Sequence, residues 1–167
     1  MAFSITDSNH VGSQPIANNS TTQQHPVGTI VRAQDPIYGE GEFVYLIGVA
    51  STIVGSIVTY HDGDTLVGQT ALSTTAVDSG EPLAVAMSAC VAGEYGWYQI
   101  GGVAVLGKAN TLSLAPGVDL AIASGLAIAA ATTNRVSGLN TAITASASTL
   151  VITVPCLIDR PCGPGVG

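Results

Sequence analysis

The chain has 167 residues, of which 47% are hydrophobic and only 9% are charged, and its formal net charge is -7. This length suits one domain with a sizeable core. Four basic residues are too few to neutralise nucleic-acid phosphates or to bind an anionic membrane surface, so we expect neither partner. The longest apolar run, 118–131, carries Asp119 and is shorter than the about 20 residues that a membrane-spanning helix needs.

Residues 1–25 form a polar segment rich in Ser, Thr, Asn and Gln. Such a segment cannot bury enough surface to fold by itself. We predict an extended N-terminal arm that is either disordered or ordered on a neighbouring molecule. Its isolated apolar side chains are possible interface contacts: Phe3, Ile5, Val11 and Ile16. The segment lacks a basic region followed by an apolar stretch, so we expect no secretory signal and synthesis in a cytoplasm.

Residues 26–160 alternate short strand patterns with turn signals, and no stretch combines helical caps with a 3.6-residue apolar period. The sequence therefore predicts an all-β body, a single β-sandwich or jelly-roll-like barrel, followed by a Pro/Gly-rich tail at 161–167. The predicted strands are Val27–Arg32, Glu42–Val49, Thr52–Tyr60, Leu83–Val91, Tyr95–Ile100, Gly102–Leu106, Thr111–Leu114, 118–123, 126–131 and Thr149–Val154.

Four short signals set the predicted strand ends. Asp62–Gly63 is a turn dipeptide, and the Gly101–Gly102 step is predicted to join two strands as a hairpin. Ser124–Gly125 predicts the turn of a second hairpin. Pro155 is predicted to end the last strand.

Several predicted strands place large residues on one face and small residues on the other. In Leu83–Val91 the odd positions are Leu, Val, Met, Ala and Val and the even positions are Ala, Ser and Cys. In the run 118–131 the large residues fall on even positions and Ala or Gly on most odd ones. A soluble monomer normally carries charge on its outward strand faces. We therefore expect many of the small-residue faces to rest against other protein, as in a building block of an assembly.

The three cysteines give no disulfide framework, because their number is odd. Cys90 lies in an alternating apolar stretch, which predicts a buried thiol. Cys156 and Cys162 would close a small loop if oxidised, but free thiols are the favoured interpretation in a reducing compartment.

Two acidic groupings are candidate sites, each with a simpler structural interpretation. His61, Asp62 and Asp64 offer oxygen ligands for a divalent cation, but an Asp-Gly pair is also what a tight turn needs. Glu40 and Glu42 resemble a glycosidase acid and base, yet they would sit side by side on one strand face. A glycine-rich loop leading into a strand is favoured there. We predict no catalytic, cofactor-binding or metal-binding residues, and no enzyme.

The aromatic cluster Tyr95, Trp97 and Tyr98 has two interpretations. In a strand, Tyr95 and Trp97 share one face and Tyr98 points to the other. Such rings bind sugars or a protein partner when exposed, or they are the largest residues of an Ala- and Val-rich core. We favour a core position for Trp97 and a surface or interface position for Tyr98.

Two blocks of sequence resemble the head decoration, or cement, proteins of short-tailed phages. The first comprises Ser20–Arg32, Tyr38–Tyr45 (YGEGEFVY) and Gly48–Thr52, and the second comprises Val85–Ala89 and Tyr95–Val103 (YGWYQIGGV). The resemblance covers roughly residues 20–106. It implies a β-rich, commonly trimeric, non-enzymatic virion protein without cofactors, which binds the major capsid protein on the outer surface of the head. The alternative is a carbohydrate-binding or host-attachment β-domain of a phage particle.

Overall fold

The computed structural model describes residues 3–7, 13–63, 66–72, 80–108, 113–123, 126–129, 135–144 and 152–162. Within these ranges the chain forms strands and no helix, which confirms the predicted all-β class and is consistent with a β-sandwich-like fold. The strands are β1 (Ser4–Ile5), β2 (Asn19–Ser20), β3 (Ile30–Asp35), β4 (Gly39–Ile47), β5 (Ile57–Gly63), β6 (Leu66–Leu72), β7 (Leu83–Ala86), β8 (Tyr95–Lys108), β9 (Leu120–Ala123), β10 (Leu126–Ala129), β11 (Ser137–Thr141) and β12 (Ile152–Cys162).

The strands join in one large sheet whose main path is β1-β3-β4-β8-β7-β5-β6. The long strand β8 is its centre, since β12, β2 and β10 also pair with it. The pairings are antiparallel, except that β10 runs parallel to β8. The sheet curls far enough for β6 to contact β4.

Apolar side chains fill both faces of this sheet. One face carries a first cluster from β5, β7, β8, β9, β11 and β12 and the segments beside them: Ile57, Leu83, Val85, Ala104, Leu106, Leu114, Leu120, Ile122, Val136, Leu139, Val154, Cys156 and Ile158. The opposite face carries a second cluster: Val44, Leu46, Val58, Ala84, Ala86, Cys90, Tyr98 and Ile100. A third cluster lies under the N-terminal segment: Ile16, Val31, Ala33, Phe43, Tyr45, Met87 and Trp97.

The small-residue face of β7 is buried within the chain itself. Ala84 and Ala86 are at most 1% exposed and pack in the second cluster, while Leu83 and Val85 pack in the first. The alternation of large and small residues was predicted correctly, but the expectation that the small face looks outward is wrong for this strand. Ala84 and Ala86 are therefore interior residues of the second cluster and not an outward face.

The two predicted strands around Gly101–Gly102 are one continuous strand, β8, so the predicted hairpin is wrong. Opposite Glu42 and Phe43 the register shifts, and β8 pairs with β4 up to Gly101 and with β12 from Gly101 onward. Gly102 has a φ of +94° and lies against the carbonyl oxygen of Glu40. Glycine serves here as a bulge position with close backbone approach, not as a turn.

Pro155, predicted to end the last strand, lies inside β12. It pairs with Val105 of β8, and its carbonyl oxygen accepts a hydrogen bond from the Ala142 amide at 3.1 Å. In an antiparallel strand the nitrogen and oxygen of one residue point to the same neighbour. The Pro155 nitrogen therefore faces the segment that follows Thr141, the last residue of β11. Because it does not face β8, the missing N–H removes no hydrogen bond between β12 and β8.

Other boundaries also move, most of all that of β12, which ends at Cys162, eight residues beyond the predicted end and inside the predicted tail at 161–167. The hairpin of β9 and β10 is confirmed, although residues 124–125 lie outside the described ranges. Asp62–Gly63 lies within β5, which pairs with β6. The sequence patterns predicted neither β6 nor β11. The predicted strand Thr111–Leu114 lies partly outside the described residues, and Leu114 is buried.

The three thiols are free, and Cys90 is buried as predicted. Cys156 and Cys162 lie six residues apart on β12. They pair with Thr141 and Ser137, which lie four residues apart on β11, so at about 3.3 Å per residue their Cα atoms are separated by roughly 13 Å. A disulfide needs a Cα separation below about 7 Å, so the strand itself rules out the loop that oxidation would close. Among the residues that the structure describes, there is no helical segment that could span a bilayer.

Candidate functional site

The N-terminal segment lies against the body of its own chain wherever the structure describes it. Ile5 pairs with Ala33 in the β1–β3 ladder, and the Phe3 ring meets the Phe43 ring edge-on at 4.9 Å. Ile16 is 2% exposed. Val11 lies outside the described residues. The expectation that this segment orders only on a neighbouring molecule is therefore wrong for residues 3–7 and 13–25.

Gln14 connects the segment to an aromatic group beneath it. Its carbonyl oxygen accepts a hydrogen bond from Trp97 Nε1 at 3.0 Å, and its Oε1 accepts one from the Tyr45 hydroxyl at 3.0 Å. The His25 ring packs 5.2 Å from Tyr45 and 5.3 Å from Trp97. Because Trp97 is 0% exposed, its predicted core position is confirmed. Tyr95 is half-buried on the same face, as the alternation predicted.

Tyr98 points to the opposite face, as predicted, but it is buried there and not at a surface. It is 0% exposed in the second cluster, and its hydroxyl donates to the Cys90 carbonyl oxygen at 3.5 Å. Burial raises the pKa of the Tyr98 phenol. The surface prediction fails because β8 lies in the middle of the sheet and has apolar layers on both faces.

A row of charged residues crosses four strands at the Gly101 position; we call it the charged row. Arg32 pairs with Glu42, Glu42 pairs with Gly101, and Gly101 pairs with Asp159, so these positions share one face of the sheet. Arg32 contacts Glu42 at 3.3 Å and the Glu40 carboxylate at 3.8 Å. The other carboxylate oxygen of Glu42 lies 2.9 Å from the guanidinium of Arg160, which follows Asp159 in the chain. The charged row therefore comprises Arg32, Glu40, Glu42, Asp159 and Arg160.

Four of the five residues of the charged row line a surface cavity of about 360 Å³. Gly101 and Gly102 form its floor, and Arg32, Glu40, Glu42 and Asp159 stand around it. A side chain at Gly101 would meet the Glu42 side chain at 3.5 Å, so the cavity depends on the missing side chain.

Beside the charged row, the same face of the β8–β12 ladder is uncharged and apolar. We call its four residues, Val103, Val105, Pro155 and Leu157, the apolar strip. Val103 pairs with Leu157, and Val105 pairs with Pro155. The residues between them, such as Ala104 and Cys156, point into the first cluster. Leu157 is 53% exposed, and the other three are partly exposed. Successive outward pairs along a ladder lie about 7 Å apart, so strip and row form one surface.

The two candidate sites from the sequence have different outcomes. Glu40 and Glu42 lie in β4 itself and not in a loop, and both face Arg32 instead of each other across a cleft. Asp62 lies in β5, whereas Asp64 is outside the described residues. Among the described residues, no three His, Cys, Asp or Glu side chains are grouped to hold a metal ion.

The sequence did not indicate the charged row because its members are isolated along the chain. Arg32 and Asp159 are separated by more than a hundred residues, and only the register of β3, β4, β8 and β12 brings them together. The available signal was the rarity of charge: two of the four basic residues lie in this row.

No protein-family model, no curated protein and no solved structure matches the chain. The resemblance of residues 20–106 to phage decoration proteins therefore stays a prediction from the sequence blocks themselves.

Proposed function

We propose that this chain is a capsid decoration protein that binds the outer surface of a phage head and stabilises contacts of the major capsid protein. In this role it is a non-enzymatic virion protein without a cofactor, made in the host cytoplasm, with no nucleic-acid or membrane partner. The proposal takes its class from the sequence resemblance. The structural observation that supports the proposal is the apolar strip.

The apolar strip is suited to burial against another protein. Val103, Val105, Pro155 and Leu157 are held in register by two paired strands, so little conformational entropy remains to be lost on docking. Leu157 is the most exposed of them, so its burial would contribute the most binding free energy. Full burial of a Leu side chain is worth about 1.5–3 kcal/mol.

Decoration stabilises a shell by mass action. A protein that binds only the assembled state shifts the equilibrium toward that state, in proportion to its free concentration over its dissociation constant. Each copy needs only an ordinary interface, about 1,600 Å² in total, because the contact is repeated over the whole shell.

The proposed oligomer is a homotrimer, and this part rests on the resemblance alone. The small-residue face of β7 no longer argues for it, because Ala84 and Ala86 are covered by their own chain. Mass measurement of the purified protein at micromolar concentration tests it. A trimer is expected, and a stable monomer would contradict this part of the proposal.

The carbohydrate-binding alternative needs exposed aromatic rings beside a groove. Trp97 and Tyr98 are 0% exposed, and Tyr95 is half-buried beside the Tyr45 ring at 6.3 Å. These positions offer no stacking platform, so no observation favours that alternative.

The test is to add the purified protein to phage heads assembled without it, and to follow saturation of binding and heat-induced release of DNA. Saturable binding with release at a higher temperature is expected. Heads that bind no protein and release DNA at an unchanged temperature would overturn the proposal.

A further inference from the structure

The charged row contains more negative than positive groups. Glu42 uses one carboxylate oxygen for Arg32 and the other for Arg160, so this single carboxylate engages both guanidinium groups. Arg32 reaches Glu40 only at 3.8 Å. In the described part of the chain, Asp159 forms no ion pair.

The cavity therefore has two carboxylates, Glu40 and Asp159, whose negative charge is only weakly neutralised by the neighbouring arginines. Glu40 and Asp159 stand at its edge, and the chain as a whole carries a net charge of -7. Such a cavity attracts a cation and disfavours an anion. It is too open to bury a free ion, but it borders the apolar strip on the same face of the ladder.

We propose that the cavity over Gly101 receives an arginine or lysine side chain from the protein surface on which the apolar strip docks. This inference rests on the proposed function, and it specifies the partner chemistry: an apolar patch with a basic residue about 7 Å from its edge. Charge complementarity identifies the occupant. The basic group pairs with Asp159 and Glu40, while Arg32 and Arg160 stay engaged with Glu42.

The glycine floor makes this arrangement possible. Gly101 leaves room above the sheet for an incoming side chain, and its would-be Cβ meets Glu42 only at ordinary contact distance. Gly101→Ala should therefore fold normally and still fill part of the cavity. This gives a variant that blocks the cavity without changing any charge.

The direct probe is N-acetyl-arginine amide, titrated against the purified protein while the amide resonances of Gly101 and Gly102 are followed by NMR. Saturable shifts in the millimolar range are expected for these glycines. N-acetyl-citrulline amide, which has a similar shape and no charge, should produce none. Equal shifts from both compounds, or no saturable shift from either, would overturn the inference.

Two variants and one control locate the probe. Asp159→Asn should weaken arginine amide binding about tenfold, the effect of losing one charge-assisted hydrogen bond, and Gly101→Ala should weaken it by filling part of the cavity. Asp119→Asn is the matched control, because Asp119 is an exposed carboxylate paired with Arg135 outside the charged row. If Asp119→Asn weakens binding as much as Asp159→Asn, the cavity is not the site.

Binding to phage heads separates this inference from the proposed function. The wild-type affinity should fall with added salt, and Asp159→Asn should bind more weakly with a smaller salt dependence. Wild type and Asp159→Asn binding equally well at every salt concentration would contradict the basic contact and leave decoration standing. Wild type that fails to bind heads would contradict decoration, while the arginine amide titration still reports on the cavity.

Discussion

The indole Nε1 of Trp97 donates a hydrogen bond to the carbonyl oxygen of Gln14, 83 residues earlier in the chain, at 3.0 Å. This bond joins the polar N-terminal segment to the beginning of strand β8. Since Trp97 is the only tryptophan of the chain, its fluorescence reports on that contact.

Trp97→Ala should destabilise the fold. Trp97 is 0% exposed and packs against Tyr45 at a ring distance of 4.9 Å. Removing a buried tryptophan typically costs about 3–5 kcal/mol of unfolding free energy, which is roughly 6–20 °C in Tm for a chain of this size. Ile37→Ala is the control, because Ile37 is 82% exposed and should leave Tm nearly unchanged. Equal melting curves for both variants would contradict a core role.

Deleting residues 1–20 should lower Tm and shift the Trp97 emission to longer wavelength. The deletion removes the buried Ile16 side chain and the Gln14 partner of Trp97 and Tyr45. Ile16→Ala alone should have part of the same effect on stability, about 2–5 kcal/mol. A truncated protein with unchanged Tm and emission would show that the segment does not stabilise the body in solution.

Gly102→Ala should be more destabilising than Gly93→Ala. Both glycines have positive φ, +94° and +84°, so alanine is strained at each by about 1–2 kcal/mol. A Cβ at Gly93 meets nothing within 4 Å, whereas a Cβ at Gly102 would collide with the Glu40 carbonyl oxygen. Urea unfolding measures the difference. Equal losses would mean that β4 does not approach Gly102 so closely.

Unfolding free energy should fall as pH rises above about 9. Burial raises the pKa of the Cys156 thiol from its ordinary value of 9.0 to about 12, and raises the pKa of Cys90 and Tyr98 as well. The unfolded chain then loses these protons before the folded chain does. Between pH 9 and 12 Cys156 alone should contribute a slope of about -1.4 kcal/mol per pH unit.

Urea titrations at several alkaline pH values measure that slope. Cys156→Ala is the matched variant, because it removes the titrating group and should make the slope shallower. A stability that is constant or rising between pH 9 and 11 would contradict the burial of these groups.

Period-two patterning was the most reliable signal in the sequence. It placed Trp97 and Tyr98 on opposite faces of one strand and predicted the β9–β10 hairpin, because alternation is a local property of strands. It could not tell whether a face meets solvent. Tyr98 and the small residues Ala84 and Ala86 are buried because a second layer covers them, and that layer depends on the long-range sheet order.

Glycine and proline were the least reliable signals. Gly102 and Pro155 both lie inside long strands, where their effect depends on the neighbouring strand at that position. The charged row was equally hidden, since the contact of Glu42 with Arg160 requires three strands in one register. Local sequence contains no information about such cross-strand neighbours.

We propose that the apolar strip attaches the protein to the phage head, and Leu157→Glu is the direct test of this attachment. Leu157 is 53% exposed, so glutamate should leave the fold and Tm unchanged while it places a charge in the proposed interface. Ile37→Glu is the matched control, because Ile37 is exposed in the β3–β4 turn, away from the strip. The measurement is the affinity of each variant for phage heads assembled without the protein. We predict that Leu157→Glu abolishes binding and Ile37→Glu preserves it; binding of Leu157→Glu with wild-type affinity would contradict the account.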